Sequence, residues 1–251
     1  MERGMGRTAE EALACDLAAI EMFASEEKNH RYDLQTAAII RRVLGPGDLA
    51  VDIGAHTGEI LFWFFQAAPE VSHLAVEPIP HLAAGLRSEY PTAEVHEVAL
   101  VAEPAGPITF HHVVSDPGYS GIRRRVMDRA EEEIESIEVA TTTLDSLVGD
   151  RSVSLVKLDV EGAELGVFQG GERTISRDRP VIIFEHGLGA ADVYGTRPGD
   201  VYDILDSFGL DLFLLATFLE TGPPLSRAQF EDQFNRGRNY YFVAGPDPRS
   251  E

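Results

Sequence analysis

One cysteine, one tryptophan and two lysines occur among 251 residues. The lone Cys15 excludes an intrachain disulfide and a thiolate zinc cluster. No run approaches the roughly 20 consecutive apolar residues that span a bilayer, so no membrane partner is expected. The opening MERGMGRTAEEALACDLAAIEMF is charged and lacks the apolar block of a secretion signal, which makes the cytoplasm the expected compartment. Cations are scarce as well. Lys28 and Lys157 are the only lysines among 21 basic residues, and 42 acids leave a net charge of −21. Such a field repels phosphate backbones and anionic lipid surfaces, so nucleic acid is not an expected partner.

What remains is ample for a core. Hydrophobic residues make up 44% of the chain, which suits one large domain or a domain with an appendage. Residues 8–44 carry helical spacing, with Leu13, Leu17 and Ile20 followed by Ala37, Ile40, Val43 and Leu44. GPGD at 45–48 stops that segment, so we expect an N-terminal helical extension over 1–45 and a main domain over 46–251.

From there short apolar runs alternate with helical patterns: LAVDI (49–53), VSHLAVE (71–77), VSLVKLD (153–159) and PVIIFEH (180–186). LDLFLLA (210–216) and RNYYFVAG (238–245) close the chain as further strands, and AEVHEVAL (93–100) reads as another. Unbroken apolar runs fit a mostly parallel sheet covered by helices on both faces, an α/β Rossmann-like fold. Residues 101–150 interrupt the alternation. PITFHHVV (107–114) and IEVATTTLDSL (137–147) read as added strands, with the charged RRRVMDRAEEEIE (123–135) between them as a solvated loop or helix. We read this as an inserted β segment over one end of the sheet.

The stretch LAVDIGAHTGE (49–59) carries the first chemistry. A strand running through a glycine turn into a helix lets a ligand approach bare backbone at the helix amino terminus. The pattern here is Asp52-x-Gly54-x-x-x-Gly58, and Asp52 would repel a dinucleotide pyrophosphate. S-adenosylmethionine has no phosphate but carries an ammonium and a sulfonium, both attracted to a carboxylate. His56 or Thr57 could donate to its carboxylate. A second acid, Glu77 in LAVEP, closes the next strand at the separation expected of a ribose ligand.

At VKLDVEGAELGVFQGG (156–171) the chain resembles the FkbM-type family of S-adenosylmethionine-dependent methyltransferases. VDIGAHTGE resembles the family's first motif, with His56 where Asn is more usual. VEP (76–78), EVAL (97–100), TTTLDSL (141–147) and VIIFEH (181–186) follow in family order. The resemblance implies a seven-stranded class I methyltransferase sheet and methyl transfer to oxygen, commonly on small natural products or sugars, as in antibiotic tailoring. It adds Pro78, Val98 and Ala99 to the expected cofactor-binding residues.

Asp159 closes one strand, Glu161 and Glu164 open the following helix, and Glu185 and His186 close another strand. If those strands are adjacent, these groups converge on the ligand-binding edge. Clustered carboxylates need a compensating cation, either Lys157, an arginine, the sulfonium or a divalent metal such as Mg²⁺. Asp159, Glu161, Glu185 and His186 are therefore the expected catalytic set, as proton acceptors or metal ligands. The expected partner is a small-molecule acceptor, with a homodimer left open. Two other readings stand beside this one: an NAD(P)-dependent oxidoreductase on the same fold, and a homologue that binds cofactor without chemistry.

Overall fold

The computed structural model describes residues 28–125 and 133–249. The expected helix around Leu13, Leu17 and Ile20 lies outside the described residues, as do Cys15 and Val126–Glu132 of the charged stretch. Helix α1 (Lys28–Val43) leads into strand β1 (Ala50–Ile53), helix α2 (Glu59–Ala67), β2 (Leu74–Val76), α3 (Pro80–Glu89) and β3 (Glu94–His96). Then come β4 (Ala99–Leu100), β5 (Ile108–Val113), β6 (Ile134–Val139), β7 (Thr141–Thr142) and α4 (Leu144–Val148). The chain continues through β8 (Leu155–Leu158), α5 (Glu164–Gly170), α6 (Glu172–Asp178), β9 (Val181–Glu185) and α7 (Pro198–Ser207). It closes with β10 (Asp211–Phe213), α8 (Leu215–Leu219), α9 (Arg227–Asn235) and β11 (Tyr241–Gly245).

Seven strands form one sheet in the order β10-β11-β9-β8-β1-β2-β3. All neighbours are parallel except β11, which runs against both β9 and β10. Every residue of β1 and β8 is buried, as continuous apolar runs in a central parallel strand require. Strand parity then sorts the core into two layers. Val51, Ile53, Val156, Leu158, Ile182 and Phe184 pack under α5, α6, α7 and α9. Ala50, Leu155, Ile183 and Val243 pack under α1, α2 and α8. Asp52, Lys157, Asp159, Glu185 and Tyr241 have the parity of this second layer, and all lie at one end of the sheet.

Helix starts follow local chemistry. The Thr143 side chain accepts from the Ser146 N–H at the start of α4, and Ser226 with Gln229 makes a reciprocal cap on α9. Pro80 opens α3, where its missing N–H costs nothing.

Three expectations need correcting. AEVHEVAL is not one strand: β3 ends at His96, and β4 pairs instead with β7 in a separate two-stranded sheet. LDLFLLA is strand only to Phe213, because Leu215–Leu219 turns helical. The insertion departs in part as well: β5 and β6 pair antiparallel along their whole length, but IEVATTTLDSL is not one strand, since β6 spans Ile134–Val139, β7 pairs with β4 and Leu144–Val148 is helical. His73 is fully buried. Its Nδ1 accepts from Ala50 N–H and its Nε2 donates to the Ala68 carbonyl.

Candidate active site

Two cavities open at the carboxyl ends of β1, β2, β8 and β9, where a doubly wound sheet places ligands. The first, of about 270 Å³, is lined by Asp52, Gly54, His56, Thr57, Glu77, Pro78, Val98 and Ala99 from the expected cofactor set. The second, of about 520 Å³, holds Asn29, Tyr32, Glu185, Asn239 and Tyr240 in its wall. Asp33, Glu161 and Tyr241 border both.

Asp52 forms the floor of the first cavity. It is 1% exposed, and its Oδ2 has no hydrogen-bond partner among the described residues. Burial pushes its carboxyl up to about 7, with the Lys157 cation pulling the other way. An unsatisfied buried carboxylate against a cavity is a seat for a cationic or hydrogen-bond-donating ligand.

Glu77 closes β2 and ties the first turn to the second strand. One of its oxygens accepts from His56 N–H and the other from Ile79 N–H, both at 2.9 Å. Each oxygen keeps a lone pair for a ligand hydroxyl. The His56 backbone has φ +48°, a left-handed conformation, and its Nε2 is buried without a partner.

Gly54 is bare for a reason beyond ligand approach. Its φ is +82°, and a Cβ there would stand 1.9 Å from the Asp159 carbonyl oxygen of the neighbouring segment. Gly58 departs from its expected role. It does not line the cavity; a Cβ on it would strike Tyr90 and Leu86, and its carbonyl accepts from the Tyr90 hydroxyl at 3.0 Å. It seats the start of α2 against α3.

The carboxylates converge as expected, because β8 and β9 are neighbours. Asp159, Glu161 and Glu185 each offer an oxygen within 4.8 Å of the others. Two cations from the chain meet this charge. Lys157, 4% exposed, places its Nζ 3.2 Å from Asp159 Oδ2. Arg125, from the inserted segment, donates to Glu161 and, at 2.7 Å, to the Gly189 carbonyl.

Burial, with Asp159 beside it, raises the Glu185 carboxyl well above the usual range. Glu161 itself has φ +56°, a strained conformation for a residue with a side chain. Glu164 is buried beneath the turn and accepts from Gly162 N–H, so it closes the backbone rather than facing a ligand.

His186 does not belong to this site. As the neighbour of Glu185 in sequence it points to the opposite face of the sheet. Its ring is 4.7 Å from Phe234 and 5.8 Å from Phe230, nearly parallel to both. Burial there drives its value down to about 4. His111 and His112 line neither cavity; His112 is buried against His81, with ring centroids 5.4 Å apart. Of the loop DPGYSG, Ser120 lines the first cavity and Tyr119 the second.

Sequence reasoning missed three residues. Asp33 and Thr36 reach the first cavity from α1, a helix assigned to an extension. Tyr241 donates its hydroxyl to Asp159 from the antiparallel strand β11. Only the parity of RNYYFVAG, with Val243 as the core residue, hints that Tyr241 faces the same side as Val243.

A family model described as the methyltransferase FkbM domain matches residues 52–212. The chain belongs to the FkbM methyltransferase family. It is 30% identical over 150 residues to the 2-O-methyltransferase NoeI of Sinorhizobium fredii (strain NBRC 101917 / NGR234), a match spanning 53% of this chain and 61% of that relative. Among solved structures, the FkbM methyltransferase of Methylobacillus flagellatus KT aligns with TM-score 0.46 and 14% identity, covering 94% of this chain and 60% of that one. A TehB-like S-adenosylmethionine-dependent methyltransferase from Corynebacterium glutamicum aligns with TM-score 0.45 and 13% identity, covering 90% and 96%. Membership of this family stands against the oxidoreductase reading and points to S-adenosylmethionine as the donor to test against the first cavity. The first cavity fits that donor: an orphaned carboxylate for its positive groups and a turn that no Cβ obstructs.

Proposed function

We propose that the chain transfers the methyl of S-adenosylmethionine to a hydroxyl of a small molecule seated in the second cavity. The observation that carries this reading is the wall the two cavities share at Asp33, Glu161 and Tyr241. One cavity suits the donor, and the other offers a wall of amides, carboxylates and phenols. Asn29, Asn239, Glu185, Tyr32 and Tyr240 match the dense hydrogen-bonding needs of a polyhydroxylated acceptor such as a sugar or a polyketide-type metabolite. The NoeI relative, a 2-O-methyltransferase, is of the same kind.

The donor supplies the chemical drive: the acceptor oxygen's lone pair bonds the methyl carbon while the carbon–sulfur pair leaves with sulfur. The protein aligns the reactants and removes the hydroxyl proton. Asp159 lines the first cavity, accepts from the shared Tyr241 and has an oxygen within 4.8 Å of Glu161 and Glu185 in the wall of the second, and it is the base we assign. The proton passes from the hydroxyl to its carboxylate and then to solvent. Glu185, whose carboxyl is pushed upward by burial and the neighbouring Asp159, lines the second cavity as a hydrogen-bonding partner for a second acceptor hydroxyl.

A divalent ion such as Mg²⁺ is the competing use of Asp159, Glu161 and Glu185. Lys157 and Arg125 already stand against two of these three carboxylates, and we assign the compensation to them. The test is mass-spectrometric: methyl-labelled donor, a panel of glycosides and polyketide alcohols, and a search for a product heavier by one CH₂, with and without EDTA. Asp159→Asn should lower turnover by about 10²-fold or more, and EDTA should change nothing. Full activity in Asp159→Asn would remove it as base. Loss with EDTA, restored by Mg²⁺, would overturn the assignment to Lys157 and Arg125.

A further inference from the structure

The base just assigned is held on one side only. Tyr241 donates its hydroxyl to Asp159 Oδ2, and the Lys157 ammonium lies 3.2 Å from that same oxygen and 3.3 Å from the Tyr241 hydroxyl. The three groups close a triangle in the wall of the first cavity, and Tyr241 carries it to the second. Lys157 also lies 4.8 Å from the centre of the Tyr241 ring, so the phenol and the ammonium fix one another. Asp159 Oδ1 takes no hydrogen bond among the described residues.

The framework around the triangle is rigid. Lys157 lies in the middle of β8, whose neighbours are β1 and β9. Tyr241 begins β11, opposite Glu185 in the register with β9. Its ring stacks 5.2 Å from that of Tyr32 on α1. Neither donor can follow the carboxylate if it turns.

We propose that Lys157 and Tyr241 are positioning residues for methyl transfer: by holding Oδ2 of Asp159 they turn Oδ1 toward the acceptor hydroxyl. This rests on the reading of Asp159 as the base. Without the two donors the carboxylate is free to rotate, and the proton acceptor is no longer aligned when the hydroxyl attacks. Lys157 lines the first cavity and Tyr241 borders both, and in this scheme each acts on the reaction through its hold on Asp159.

Tyr241→Phe removes one hydroxyl and keeps the ring that packs on Tyr32, so it should fold. We expect it to lower kcat by about 10-fold to 100-fold with KM for S-adenosylmethionine and affinity for S-adenosylhomocysteine unchanged. The discriminating measurement is a double-mutant cycle. In an Asp159→Asn background, Tyr241→Phe should change kcat by less than about 2-fold, because the group it positions is gone. Lys157→Met should behave likewise, with Lys157→Arg partly restoring turnover.

Turnover is read on the acceptor found with labelled donor and, with no acceptor added, as labelled methanol formed from water. A crystal structure of Tyr241→Phe with S-adenosylhomocysteine gives a readout that needs no turnover: the Asp159 carboxylate should rotate relative to wild type. Additive losses in the cycle, or an unmoved carboxylate in the variant, overturn the proposal. A product methylated on nitrogen or carbon overturns instead the assignment of hydroxyl acceptors, so the two failures are distinguishable.

Discussion

At the scale of single residues, Asp52 ties the donor to protons. Its carboxyl sits at about 7 because burial disfavours the charged form. A raised folded-state value adds stability below the unfolded carboxylate range, and this is lost as pH rises through about 7. Binding a cationic donor favours the ionised form, so binding should release a proton near neutrality. Affinity for S-adenosylmethionine is therefore expected to rise between about pH 6 and pH 8. Calorimetry in buffers of different ionisation enthalpy measures the released proton directly, and Asp52→Asn should flatten the dependence. Gly54 makes a harder demand. A methyl group there would overlap the Asp159 carbonyl at 1.9 Å, with backbone on both sides and φ at +82°. Gly54→Ala should cost about 3 kcal/mol or more in chemical denaturation and shift Asp159 as well as the donor turn.

Among the elements, α1 is the one whose role changes most between sequence and fold. Its buried side, Tyr32, Ile39 and Ile40, belongs to the same core layer as β1 and β9. Its first turns also wall the second cavity. The Tyr32 hydroxyl donates to Asn239 at 2.7 Å, and the Tyr240 hydroxyl donates to Asn29, so α1 and the approach to β11 are latched twice. Removing one hydrogen bond in Tyr32→Phe should lower unfolding free energy by about 1 kcal/mol. Tyr32→Ala, which also empties the ring's site, should cost about 3 kcal/mol. Urea titration of the two variants separates the contributions. The larger loss should be accompanied by weaker acceptor binding, because Tyr32 lines that cavity.

Across the whole molecule, a net charge of −21 sets a self-repelling background that added salt should relieve. Against it stand acid-sensitive groups among the described core residues, His73 and His186. His186 is 1% exposed, both ring nitrogens lack partners, and burial lowers its value to about 4. A depressed folded-state value means its stability is fully present above the unfolded histidine value and is lost as pH falls toward 4. The interval corresponds to on the order of 3 kcal/mol. Glu164, raised to about 7 by burial, acts in the opposite direction, as Asp52 does. The comparison that isolates His186 is thus between wild type and His186→Leu. From pH 7 to pH 4 the variant should gain on wild type by about that amount in thermal or urea unfolding. No gain would mean that the imidazole is not held neutral.

Much of this protein is written in local sequence. Continuous apolar runs dictate buried parallel strands, the Asp52-x-Gly54 turn and Glu77 mark the donor's end of the sheet, and VKLDVEGAE carries the family. Each depends on neighbours along the chain, where strand parity and backbone conformation act within a few residues. Even the exclusion of His186 was legible in principle, since adjacent residues of a strand face opposite ways. What only the tertiary structure decided involves groups far apart in sequence. Gly54 must be bare because Asp159 passes over it, and Tyr241 reaches Asp159 because β11 runs antiparallel beside β9. Arg125 answers Glu161 from an insertion, and α1 folds back to wall the second cavity. No periodicity encodes such meetings. They arise because burying two faces of one sheet brings distant segments to the same edge, where uncompensated charge must find its counterpart.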